Sequence, residues 1–161
     1  MIGNDIVDLA LAKKESNWKR KGYLDKIFTV SEQLLIQKFT NQELAIWNLW
    51  SRKEAVYKII LQKGGIRGYY PIKIECLDLN LENGKVQFEN QIFYTKTTVK
   101  NKSVYSIAVQ NLNDFENIKT IDNSHLFFKV DGIPFISINN EVKNVSKTHH
   151  GNFEIIVYLD A

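Results

Sequence analysis

The apolar pattern of this chain changes period at Gly64-Gly65, and that change limits its fold more than any other feature. Between Thr40 and Gly64-Gly65, apolar residues recur at intervals of three and four, which gathers them on one side of an α-helix. From Pro71 onward the interval falls to two, in segments such as IKIECLDLNL and LFFKVDGIPFISI, where alternate residues face one side of a sheet. Helices come first and strands follow. That order favours an α+β fold over a doubly wound α/β one.

Local signals mark the individual elements. Residues 2–9, IGNDIVDL, alternate apolar and acidic, predicting a short strand that carries Asp5 near one end. Asp8 then points to the opposite face and suits a cap or a salt bridge. Two capping boxes follow, Thr29-Val30-Ser31-Glu32 and Thr40-Asn41-Gln42-Glu43, in each of which a hydroxyl and a later glutamate satisfy orphan N–H groups. The second opens the long helix, which Gly64-Gly65 closes. Trp47, Trp50, Glu54 and Lys58 recur along one face of it. Asn83-Gly84 predicts a type I′ turn between IKIECLDLNL and KVQF, and Asn101-Lys102 and Asp131-Gly132 predict two more turns. Residues 111–124 interrupt the pattern. The C-terminal VKNVSKTHHGNFEIIVYL reads as two strands flanking a polar THHG connection.

The 161 residues suffice for one ordinary domain or two small lobes, and 44% hydrophobic with 24% charged residues supports a packed core. A net charge of +3 is too small to indicate nucleic acid without a concentrated patch, and no nucleic-acid fingerprint is present. Residues 13–26 do hold six basic side chains, which by themselves read as a solvated helix face. The lone Cys76 excludes an intramolecular disulfide and a thiolate zinc site, and fits a reducing compartment. The N-terminus carries Asp5 and Asp8 instead of a basic leader, and no apolar run reaches the ~18 residues of a membrane span. The expectation is a soluble cytoplasmic protein without membrane or nucleic-acid partners.

By spacing alone Glu54 and Lys58 form an i,i+4 pair, a surface salt bridge of about 0.3–0.5 kcal/mol. Their neighbours say more. WSRKEAVYK, taken with IGNDIVDL, resembles the signature of the 4′-phosphopantetheinyl transferases, G-x-D-[IV]-[VE] followed by [FW]-[STA]-x-KE-[AS]-x-x-K. Gly3, Asp5, Ile6, Val7, Trp50, Ser51, Lys53, Glu54, Ala55 and Lys58 match it. KIFTVSE between them resembles the family's F-[ST]-x-x-E element, although its Glu32 already has a role in a capping box. Further on, DGIPFI and NVSKTHHG resemble the G-K-P and S-x-[ST]-H elements, with Thr148, His149 and Gly151 matching and Ile133 standing where lysine is usual.

The resemblance implies a long helix packed on an antiparallel sheet, with residues 1–112 as the transferase lobe and 113–161 as a C-terminal β extension carrying the THHG loop. It implies transfer of the phosphopantetheine arm of coenzyme A to a serine hydroxyl of an apo acyl or peptidyl carrier protein, releasing adenosine 3′,5′-bisphosphate. Asp5 and Glu54 would hold Mg2+, an ion suited to one or two carboxylates with water and phosphate oxygens. Glu54 and Lys58 are the catalytic candidates. Lys58, Thr148 and His149 are those for coenzyme A, while the general base is left between Glu54 and a metal-bound water. Lys14, Lys19, Arg20 and Lys21 are candidates for meeting an acidic carrier protein, of fatty acid synthesis or a related pathway. Val7 matches the single-lobed, holo-acyl-carrier-protein-synthase-like branch, whose sites form in trimers, so a homo-oligomer is implied as well. The alternative is a non-catalytic domain of the same fold that binds coenzyme A or a carrier protein. Ile133 favours that alternative, and the intact Asp5, Glu54 and Lys58 oppose it.

Overall fold

A computed structural model of the protein describes residues 1–122 and 127–160. The chain opens with strand β1 (Ile2–Asp8). Four helices follow: α1 (Leu9–Glu15), α2 (Tyr23–Ile27), α3 (Val30–Gln37) and α4 (Gln42–Gln62). Strands β2 (Ile74–Cys76), β3 (Asn83–Phe88), β4 (Gln91–Lys100) and β5 (Ser103–Val109) then join β1 in an antiparallel sheet of order β1-β5-β4-β3-β2. A second antiparallel sheet has the order β6-β10-β9-β8-β7. Its strands are β6 (Ile118–Ile121), β7 (Phe127–Val130), β8 (Ile133–Ile138), β9 (Glu141–His150) and β10 (Phe153–Leu159). The fold is α+β, with the long helix α4 laid across the first sheet. Among the described residues no helix is long and apolar enough to cross a membrane.

The core follows from the periodicity. Ala45, Ile46, Leu49, Val56, Ile59 and Ile60 of α4 are buried against Ile74, Val86, Phe93 and Val104 of the sheet. Each large aliphatic side chain so buried contributes about 1.5–3 kcal/mol. Gly3 is what lets β1 lie against this helix, since a Cβ there would fall 1.8 Å from the carbonyl oxygen of Ala55. The helix ends where predicted, with Gly64 in the left-handed region at φ +84°.

Several local expectations change. The first capping box is present, Thr29 and Glu32 each bonding to the other's backbone N–H, but α4 is capped by Asn41 and not Thr40. The helix begins one residue later, and the Asn41 side chain accepts from the Leu44 N–H at 3.1 Å. Asn83-Gly84 is no turn: both residues start β3, and the β3–β4 turn lies at Glu89-Asn90. The reason is Arg52, fully buried on α4, whose guanidinium reaches the Asp78 and Asn80 carbonyls and Thr97 Oγ1. A Cβ on Gly84 would meet Arg52 Nη1 at 2.0 Å, so this glycine serves close approach. Residues 77–82 wrap around the same guanidinium and leave β2 only three residues long. Asn101-Lys102 and Asp131-Gly132 are turns, as read. The interruption at 111–124 contains a 3₁₀ turn, Leu112–Asn117, and then β6. Residues 123–124 of it, and Leu126 of LFFKV, lie outside the described residues. The THHG segment is not a loop: Thr148, His149 and His150 complete β9, and Gly151-Asn152 alone make the turn.

Candidate active site

Strand pleat and helix period bring three of the sequence-predicted residues together. Odd-numbered residues of β1 face α4, so Asp5 lies between Gly3, which touches Ala55, and the core residue Val7. On α4, Glu54 and Lys58 are one turn apart on the face turned to that strand. Lys58 Nζ is 3.7 Å from Asp5 Oδ1 and donates to the backbone oxygens of Asn4 at 2.6 Å and Lys147 at 3.1 Å. Asp5 and Glu54 line one cleft of about 180 Å³, with Trp47 and Trp50 from α4, Glu15 and Ser16 at the end of α1, and His149 and His150 from β9.

The electrostatics are those of an under-neutralised pair. Burial pushes the Asp5 carboxyl up to about 6, although Lys58 and a hydrogen bond from Thr148 pull the other way. Glu54 is pushed up to about 7 by burial and then by the neighbouring Asp5 charge. Burial draws the Lys58 ammonium down, opposed by the same two acids. Two carboxylates share one lysine, so added positive charge would be favourable here. Among the described residues no group of three or more His, Cys, Asp or Glu is set for a metal; Asp5 and Glu54 are the pair of cleft carboxylates that could share an ion. Mg2+ accepts such a set, because it keeps several waters and completes its shell with phosphate oxygens.

The rest of the KE motif has other work. Ser51, Arg52 and Lys53 are buried. Ser51 Oγ donates to the Asn48 carbonyl and is 2.7 Å from Ser106 Oγ. Lys53 Nζ donates to Glu32 Oε2 at 2.6 Å and to the Ile27 carbonyl at 2.7 Å. Glu32, itself fully buried, also accepts from the Thr29 and Cys76 N–H groups. This pair seats α3 on α4 and lines no part of the cleft. Cys76 is buried, which pushes its thiol well above the usual thiol range.

Thr148 is buried and faces β1, whereas His149 is exposed on the opposite side of β9, at the rim of the cleft. The histidine turned toward β1 is His150, whose Nδ1 accepts from the Asp8 N–H at 2.7 Å, the contact that reading THHG as a loop missed. Strand alternation in S-x-T-x-H was the signal for it. Asp8 caps α1 through the N–H groups of Ala10 and Leu11.

Beyond Lys58 a groove of about 270 Å³ is lined by Arg67, Lys129 and Lys147 together with Gly132-Ile133-Pro134. Arg67 donates to the Asp131 carbonyl at 2.6 Å, so a cation stands at the turn where Ile133 brings none. A larger hollow of about 460 Å³, lined by Tyr70, Phe88 and Phe93 near the end of α4, includes none of the acid pair. Lys14, Lys19, Arg20 and Lys21 are exposed along the end of α1 and the turn into α2.

A family model described as the 4′-phosphopantetheinyl transferase superfamily matches residues 1–112. Among solved structures the chain is similar to a Helicobacter pylori holo-[acyl-carrier-protein] synthase in complex with coenzyme A, at TM-score 0.56 and 18% identity over 69% of this chain and 100% of that one. It is similar to the Neisseria meningitidis holo-[acyl-carrier-protein] synthase at TM-score 0.53 and 20% identity, over 68% and 96%. The Plasmodium yoelii holo-ACP-synthase gives 0.50 and 16%, over 66% and 90%. At such identities these likenesses establish the fold. No curated protein matches the chain.

Proposed function

Given that the chain belongs to the 4′-phosphopantetheinyl transferase superfamily, we propose that it is a Mg2+-dependent holo-[acyl-carrier-protein] synthase. It moves the phosphopantetheine arm of coenzyme A to a serine of an apo carrier protein. The observation that carries this reading is the shared cleft of Asp5 and Glu54, two carboxylates with raised proton affinity beside the single Lys58. Asp5 and Glu54 would hold the ion and Lys58 would pair with a phosphate oxygen. When bound, Mg2+ offsets the negative charge that grows as the phosphoanhydride bond to adenosine 3′,5′-bisphosphate breaks. The serine hydroxyl gives its proton to Glu54 or to a water beside it as the oxygen attacks phosphorus.

The groove lined by Lys58, Arg67, Lys129 and Lys147 suits the nucleotide phosphates of coenzyme A, with His149, at the rim of the acid cleft, as a further contact. Thr148 serves the arrangement through Asp5. Lys14, Lys19, Arg20 and Lys21 meet the acidic carrier protein, speeding encounter more than strengthening the complex. The test is intact-mass spectrometry of an apo acyl carrier protein incubated with this protein, coenzyme A and Mg2+. Addition of one phosphopantetheine arm that chelation abolishes is the expected result. Coenzyme A binding without any addition, across several carrier proteins, would instead mean a non-catalytic domain.

A further inference from the structure

Strand β1 is the edge of its sheet, so every second N–H along it points away from β5 and needs a partner. All four find side chains. Ile2 N donates to Gln62 Oε1 at 3.3 Å, Asn4 N to Ser146 Oγ at 2.9 Å, Ile6 N to Thr148 Oγ1 at 3.1 Å and Asp8 N to His150 Nδ1 at 2.7 Å. Three of these partners are alternate residues of β9, which share one face. The two hydroxyls spend their own hydrogens alike: Ser146 donates to Asn4 Oδ1 at 2.7 Å, and Thr148 to Asp5 Oδ1 at 3.1 Å. Lys58 ties the two strands through the Asn4 and Lys147 carbonyls. Gly151, at φ +57°, closes the β9–β10 turn where a Cβ would stand 2.2 Å from Asp8 Oδ2.

We propose that β9 is the positioning wall of the active site, supplied by the same chain, and that Thr148 is the positioning residue that aims Asp5. One hydroxyl sets both the backbone of β1, through Ile6, and the carboxylate beside it. Because side chains of this chain already occupy the outward N–H groups of β1, that edge of the site is walled within one copy.

This rests on the transferase reading for its turnover measurement only; affinity for Mn2+, titrated without coenzyme A and followed by electron paramagnetic resonance, tests it separately. Thr148→Val keeps the shape and removes both hydrogen bonds, and Thr148→Ser keeps both. The expected result is that Val weakens Mn2+ binding and lowers kcat about tenfold each, with KM for coenzyme A within about twofold, while Ser stays within about threefold of wild type. Val binding Mn2+ like wild type, or Ser as weak as Val, would overturn the role of Thr148. Mixing the Glu54→Gln and Thr148→Val proteins should yield only the sum of their separate rates. Recovery to about a quarter of the wild-type rate, the share expected if copies exchange walls at random, would overturn the same-chain assignment. A wild type that binds Mn2+ but transfers nothing refutes the transferase reading and leaves the Mn2+ comparison to decide on Thr148. A wild type that binds no Mn2+ refutes both.

Discussion

Lys53 and Glu54 are neighbours on α4, yet each meets a charge of opposite sign in a different way. Lys53 turns inward, where Glu32 Oε2 lies 2.6 Å from its Nζ and the Ile27 carbonyl and Phe28 ring complete the shell. Each oxygen of Glu32 has a donor. Glu54 turns to the cleft, where it shares Lys58 with Asp5 and both acids are pushed up. The difference separates two uses of buried charge. A fully hydrogen-bonded pair holds two helices together, whereas two acids with one lysine leave negative charge for a ligand to offset.

If that contrast is right, Lys53→Met is the most damaging change to stability. It strands Glu32 in the core and should cost about 3–5 kcal/mol in urea unfolding. A loss below about 1 kcal/mol would mean that the pair does not seat α3 on α4. Glu54→Gln should do the opposite, lowering transfer by about 10²–10³-fold with stability within about 1 kcal/mol of wild type. Unfolding as severe as that of Lys53→Met would make Glu54 structural.

Acidity sharpens the contrast further. Folded-state values of about 6 for Asp5 and about 7 for Glu54 lie above the unfolded ones, so the stability they contribute is complete below about pH 4 and lost as pH rises through 6–7. The cation-free protein should therefore lose on the order of 1–2 kcal/mol between pH 5 and pH 8 relative to Glu54→Gln. Mg2+ should restore it at pH 8. Parallel Tm profiles for the two proteins would count against the raised values. The smallest effect is expected outside both clusters: Arg20→Glu with Lys21→Glu should slow carrier-protein use about tenfold at low salt, less at high salt, with coenzyme A affinity unchanged. Equal slowing at every salt concentration would argue for a local distortion.

What could be read along the chain were features set by neighbours in sequence. The α4 helix, the Thr29–Glu32 box, the Asp131-Gly132 turn and the shared face of Glu54 and Lys58 all follow from spacings of four residues or fewer. Apart from the cap of α4, which moved by one residue from Thr40 to Asn41, the misreadings came from partners far along the chain. Asn83-Gly84 has the composition of a turn, but it is a place where a strand passes the guanidinium of Arg52. THHG has the polarity of a loop, but its hydroxyl and imidazole replace the missing strand beside β1.

The sequence by itself determined the α+β class, the long helix and a motif set that points to one family, because periodicity and motif spacing are local properties. Tertiary structure alone decided which lysine is buried as a brace and which pairs with Asp5, and that Thr148 and His150 face β1 while His149 faces out. Those assignments depend on what packs against each strand edge and helix face. Contacts between residues 142 positions apart, such as Asn4 with Ser146, set them, and no local pattern encodes such contacts.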